Sequence, residues 1–235
     1  MDAENVKDEL NNLGSLEKAV HLSRFFKIGS GQYGEGDEFI GVRVPEQRCI
    51  AKHYKALPIE EIAKLLASRI HEHRLTGLLI LVERFSGSKE AVIRREIVDF
   101  YLANLKQVNN WDLVDLSAPK ILGEHFLHHA DERIKLFSMV KSANLWERRI
   151  AILATWPMIK QKRFDELEAL AEILLTDTHD LIHKAVGWML REAGKIDLSI
   201  LEKFLDNHVG SMPRTMLRYA IEKLEPERRR YFMSC

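Results

Sequence analysis

Beyond Pro45 the chain repeats one pattern. Apolar residues recur at three- and four-residue spacing in segment after segment, and no convincing run alternates apolar with polar residues as a half-buried strand would. Such a chain buries its apolar stripes helix against helix. Candidate helices run 46–55, 58–67, 70–85, 90–106, 111–128, 131–142, 144–160, 164–175, 180–194, 197–207, 213–224 and 227–233. They fall into pairs whose second members begin near Ser68, Asn110, Asn144, His179 and Ser211. That recurrence lies in the range of about 30–45 residues found in helical-repeat arrays. The expected fold is therefore all-α, a superhelical solenoid of HEAT-like antiparallel helix pairs with a concave face lined by one helix of each pair. A single domain over 1–235 is expected, with capping helices in 1–28, a Gly-rich loop in 29–45 and helical repeats in 46–235.

Within 1–28, Leu10, Leu13, Leu16, Val20, Leu22 and Phe25-Phe26 keep helical spacing around a break near Gly14-Ser15. The glycine-rich stretch Gly29-Ser30-Gly31-Gln32-Tyr33-Gly34 formally contains GxGxxG. A dinucleotide loop needs a strand before it and a helix directly after it. Here a helix precedes and an extended Phe39-Ile40-Gly41-Val42-Arg43-Val44-Pro45 follows, which predicts a flexible inter-helix loop with Pro45 starting the next helix.

The informative polar residues are those that intrude on apolar faces. Asn110 is a good helix N-cap, and Asp112 falls in the first turn, where a carboxylate offsets the helix dipole. Asp115 lies on the same face as Trp111, Ala118, Leu122 and Phe126, where an ionised group must have a partner or a purpose. It is either a core carboxylate paired to an arginine or a reactive acid. In 144–160, Arg149 falls within the arc formed by Leu145, Trp146, Ile150, Ile152, Leu153 and Trp156, and Arg148 lies on its flank. A guanidinium cannot be neutralised, so Arg149 needs an acceptor, and Asp115 on the equivalent helix one repeat earlier is the candidate. Trp188 stands at the edge of its arc between Lys184 and Arg191, as a packing residue or as a platform for a sugar, a base or a cation.

Composition narrows the partners. Lys+Arg and Asp+Glu are equal at 35 each, so no global positive field announces a nucleic acid, and any such surface requires segregated charge. Some segregation exists: residues 1–20 hold two Lys against five acids, and 141–163 hold six Lys/Arg against Glu147 alone. Two cysteines, Cys49 and Cys235, fit a reducing compartment. An acidic start without an apolar h-region, and apolar runs too short to cross a bilayer, lead to the expectation of a cytoplasmic protein without a membrane partner. His71-Glu72-His73 is not HExxH, and His125-x-x-His128-His129 and His179-x-x-x-His183 lack a supporting cysteine or acidic set, so no metal is expected. Arg228-Arg229-Arg230 reads as a solvated helix face.

Taken in order, Phe39-x-Gly41-Val42-Arg43-x-Pro45, Trp111-x-x-x-Asp115, Trp146-x-x-Arg149 and Gly187-Trp188-x-x-Arg191-Glu192 resemble the DNA alkylation repair family of AlkD-like glycosylases over about residues 20 to 220. The resemblance implies a stack of HEAT-like repeats that holds duplex DNA carrying alkylated bases and excises purines alkylated at N3 or N7, such as 3-methyladenine and 7-methylguanine, without a cofactor. It implies Asp115 as the catalytic carboxylate, Arg149 as its neighbouring cation, and Trp111 and Trp188 as aromatic walls. Arg43, Arg148, Lys184, Arg191 and Arg214 become candidate DNA contacts, and a monomer is expected. The alternative is a non-catalytic HEAT-repeat scaffold that binds DNA structure or a protein partner.

Overall fold

The computed structural model describes residues 1–235 and is all-helical, with one isolated parallel bridge, between Glu38 and Ile70, as its sole strand-like pairing. It divides into two compact units, Met1–Ser117 and Ala118–Cys235.

The first unit comprises α1 (Ala3–Leu13), α2 (Leu16–Ser23), α3 (Val44–His53), α4 (Ile59–Leu66), α5 (His71–Gly87), α6 (Ala91–Ala103) and α7 (Trp111–Ala118), in whose last turn the unit ends. The break expected near Gly14-Ser15 is present, and the Ser15 hydroxyl caps α2 by accepting from Lys18 N. Pro45 sits in the first turn of α3, where its missing N–H costs no intrahelical bond. Helix α5 is the centre of this unit: every residue from His71 to Val82 is buried, and α3 and α4 pack against it.

The 29–45 segment, expected to be a flexible loop, is bonded along its length. Gly34 N donates to the Lys27 carbonyl at 2.8 Å, Glu38 N to the Arg69 carbonyl at 3.1 Å, and His71 N returns a bond to the Glu38 carbonyl at 2.8 Å. The buried Glu72 carboxylate accepts from Ile40 N, Gly41 N and Val42 N, at 3.2, 2.8 and 3.4 Å to Oε1. Gly41 has φ +85°, and a Cβ there would stand 2.2 Å from the Ser15 carbonyl oxygen, so only glycine lets the segment lie against the start of α2.

The second unit carries α8 (Glu124–His128), α9 (Ile134–Met139), α10 (Leu145–Leu153), α11 (Trp156–Lys160), α12 (Asp165–Leu174), α13 (Asp180–Ile196), α14 (Leu198–His208), α15 (Arg214–Ala220) and α16 (Pro226–Ser234). Helix α13 is its hub, packed by α10, α11, α12, α14 and α15. Two expected long helices are interrupted, each at a proline. The 144–160 helix splits into α10 and α11 because Pro157 has no N–H for the Leu153 carbonyl. The 111–128 run passes through a π-helical turn, Pro119–Gly123, because Pro119 cannot donate to the Asp115 carbonyl. The expected 131–142 helix begins as a 3-10 turn, Ala130–Arg133, and ends at Met139.

Candidate functional site

In the first unit the candidate residues gather at the start of α7. Asn110 ends the preceding turn; its side-chain oxygen accepts from Trp111 N at 2.8 Å, and its carbonyl accepts the first intrahelical bond, from Val114 N at 3.1 Å, which marks where the helix begins. Trp111 is half-buried, and its ring is backed by Phe26 with centroids 5.3 Å apart and planes within 18°. Phe26 in turn contacts Phe39 at 4.9 Å and the His71 ring at 4.8 Å. Three aromatic side chains from separated parts of the chain thus form the wall behind Trp111. One helical turn further on, Asp115 is also half-buried.

Asp115 has an effect on its surroundings. Tyr101 is fully buried, so burial pushes its phenol far above the ordinary value; the Ser117 hydroxyl at 2.8 Å opposes that rise, and the charge of Asp115 adds to it. The Ser117 hydroxyl in turn donates to the Leu113 carbonyl at 2.5 Å. The Tyr101–Ser117–Leu113 chain therefore braces the middle of α7 on the helix face opposite Asp115.

Beneath Trp111 lies a polar cluster with no local signature in the sequence. His71 is 2% exposed, with Nε2 2.8 Å from Asp112 Oδ2 and Nδ1 3.4 Å from Asp37 Oδ2. Asp37 also accepts from Arg74 Nη2 at 2.6 Å and from Asn110 Nδ2 at 2.8 Å. Burial by itself would push the imidazolium down; the charge of Asp112 and the hydrogen bonds of Asp112 and Asp37 outweigh burial and raise His71 to about 9. Asp37 is raised by burial but carried below its ordinary value by the bond from His71, the charge of Arg74 and the bond from Asn110. Asp112, read from sequence as a simple dipole-compensating carboxylate, is 7% exposed and accepts from Leu113 N at 2.9 Å while facing His71.

The second unit holds the other candidates on α10, α13 and α15. Arg149 is 4% exposed, and its Nη1 donates to the Leu181 carbonyl in the first turn of α13. Arg148 turns the other way: Nε donates to Asp177 at 2.7 Å, and Nη1 to the carbonyls of Ser142 and Ala143 at 2.9 and 3.0 Å. It ties the entrance of α10 to the approach of α13. Helix α13 sits close to α15 because residue 187 is glycine; a Cβ there would lie 2.4 Å from the Met216 carbonyl oxygen. That seating fixes Trp188, whose Nε1 donates to Glu192 at 3.1 Å and whose ring meets Trp156 edge-on at 5.2 Å. Lys160 Nζ stands 4.8 Å over the Trp156 ring, so the apolar arc of α10 and α11 ends in a half-buried tryptophan carrying a cation.

The remaining basic candidates have partners of their own. Lys184 pairs with Asp180 at 2.7 Å, Arg191 bridges Glu222 and Glu192, and Arg214 donates to the Met233 carbonyl at 2.7 Å. Arg43 is exposed in the first unit, and its backbone N–H donates to the Glu46 carboxylate at 2.8 Å as the start of α3. Trp111 and Asp115 thus belong to one unit with Arg43, while Arg148, Arg149, Lys184, Trp188, Arg191 and Arg214 belong to the other.

Residues 6–224 match the sequence profile of a family described as DNA alkylation repair enzyme. No curated protein matches the chain. A solved structure described as "Predicted DNA alkylation repair enzyme from Enterococcus faecalis" has a similar fold, with a TM-score of 0.71 at 20% identity over 91% of this chain and 97% of that one.

Proposed function

The chain belongs to the DNA alkylation repair enzyme family, and from that premise we propose that it is a DNA glycosylase that excises cationic N3- or N7-alkylated purines from duplex DNA by hydrolysis of the N-glycosidic bond. The observation that carries this reading is the start of α7. An aromatic ring backed by a second ring, and a half-buried carboxylate one turn away, stand on a segment pinned by its own cap, by the Tyr101–Ser117 brace and by Pro119.

The chemistry suits those groups. Alkylation at N3 or N7 leaves the purine positively charged, so the base departs as a neutral molecule, taking the electron pair of the C1′–N bond. What must be stabilised is positive charge developing on the sugar, and what must be supplied is a water. We assign Asp115 to both tasks: its charge favours the oxocarbenium-like sugar, and it accepts the proton of the water whose oxygen bonds to C1′. The products are an abasic site, the free base and a proton. Trp111 and Trp188 are assigned as walls whose electron-rich faces favour a cationic nucleotide, and Arg149 as the cation accompanying the carboxylate. Arg43, Lys184, Arg191 and Arg214 are assigned to phosphates; the bonds of Arg148 suit it better to holding α10.

The test is release of free base from duplexes containing 7-methylguanine or 3-methyladenine, comparing the native chain with Asp115→Asn after both are shown to be folded. Release by the native chain, reduced about a hundredfold or more in the variant, is the expected result. The internal pairing of Arg191 and Lys184 favours a second reading, a non-catalytic scaffold. No base release from either lesion by the folded native chain, whether or not it binds duplex, removes the first reading in favour of a scaffold that binds DNA structure or a protein partner.

A further inference from the structure

The cluster beneath Trp111 goes beyond the proposed chemistry, since neither His71 nor Asp37 belongs to the assigned site. His71 touches two layers that bear on Trp111. Its ring stacks on Phe39 at 4.9 Å and meets Phe26, the residue that backs Trp111; its Nε2 bonds Asp112, the residue after Trp111. Through Nδ1 it also reaches Asp37, the acid that bonds the cap residue Asn110 just before Trp111. Asp37 joins the glycine-rich segment to α5 and to the start of α7 through this cluster.

We propose that His71 is a positioning residue for base excision, bridging Asp37 and Asp112, stacking on Phe39 and packing at a tilt against Phe26, so that the first turn of α7 holds Trp111 and Asp115 in reacting order. This rests on the glycosylase reading for its effect on catalysis, while its effect on Trp111 stands independently. A ring with a carboxylate at each nitrogen donates to both only when both nitrogens carry hydrogen. The charged groups facing it are Asp37 from the glycine-rich segment, Asp112 from α7 and Arg74 from its own helix; Phe26 and Phe39 complete its surroundings without titrating. Loss of the ring proton near pH 9 therefore removes one of the two bonds and leaves a carboxylate facing a lone pair.

The experiment has two arms on the whole 235-residue chain. In the first, the His71 ring and the Trp111 indole N–H are followed by NMR across pH 7 to 10.5. The indole signal is expected to shift with the same midpoint as His71 in the native chain and to stay still in His71→Gln. In the second, base release is measured at saturating enzyme alongside the Kd for an undamaged duplex. His71→Gln is expected to slow release by about tenfold or more, the scale of a small misplacement of reacting groups, with Kd changed less than about twofold. Its release rate should also lack the decline above pH 9 expected of the native chain. A Trp111 signal indifferent to His71 titration, or a folded His71→Gln that releases base at the native rate, overturns the inference. If the native chain releases no base, the glycosylase reading fails and the NMR arm alone decides on His71; if His71→Gln does not fold, the native titration decides.

Discussion

Buried charges in this protein are held by particular partners, and each pairing has a measurable consequence. Glu72 is 1% exposed, and its carboxylate accepts three consecutive amides from residues 40–42. Glutamine keeps one oxygen for these amides but removes the negative charge and sets its NH2 group against Ile40 N, which also lies 3.2 Å from Oε2. Glu72→Gln is expected to lose about 2–3 kcal/mol in urea denaturation at pH 7. His71 gives stability a pH dependence of definite sign. Its folded-state value, about 9, lies above the ordinary 6.5, so its contribution is fully present below pH 6.5 and is lost as pH rises through 9. The urea midpoint of the native chain should fall over that interval, by up to about 3 kcal/mol in stability, and His71→Gln should lack the His71 component of the slope. An unchanged slope in the folded variant would assign the decline to other groups.

At the scale of elements, the candidate side chains of each unit are placed by where helices stop and how closely they approach. Pro119 and Pro157 interrupt two long helical runs, the first immediately beyond the turn that carries Asp115. Their effect is local, because each removes one donor and crowds one carbonyl. Gly187 acts between helices, since it has no Cβ to hold α13 away from α15. Gly187→Ala would place a methyl 2.4 Å from the Met216 carbonyl and 2.5 Å from Tyr219 Cβ, so the two helices must part. The expected cost is about 2–3 kcal/mol in thermal or urea unfolding. The Trp188–Trp156 contact should be disturbed as well, which near-ultraviolet circular dichroism will report as a changed tryptophan band.

For the whole molecule, charge is the informative quantity. A chain with no net charge does not draw DNA by a global field, so binding has to come from a few placed cations. If Arg43, Lys184, Arg191 and Arg214 all meet phosphates, log K should fall against log salt with a slope near −3.6, about 0.9 for each contact. A salt titration with a slope near zero would remove phosphate contact as their function. The carboxylates that pair with Arg191 and Lys184 compete with phosphate, so Glu222→Gln is expected to tighten duplex binding at low salt and steepen its salt dependence.

The amino-acid sequence determined what depends on near neighbours. Helical spacing carried the all-α architecture, glycine and serine marked the break before α2, Asn110 marked the start of α7, and the phase of Asp115 and Arg149 singled them out on apolar faces. Each of these is a relation between residues a few positions apart, where helix geometry fixes the distance. The proline breaks were written there too, but strong periodicity on either side masked them. What only the tertiary structure decided is the company of each buried group. His71 meets Asp37 and Asp112 across 34 and 41 residues, and Glu72 meets the amides of Ile40, Gly41 and Val42 across 32, 31 and 30. A histidine in a helix carries no mark of which carboxylates will face it; that follows from how α5, α7 and the glycine-rich segment pack, and packing is a property of the folded unit rather than of any stretch within it.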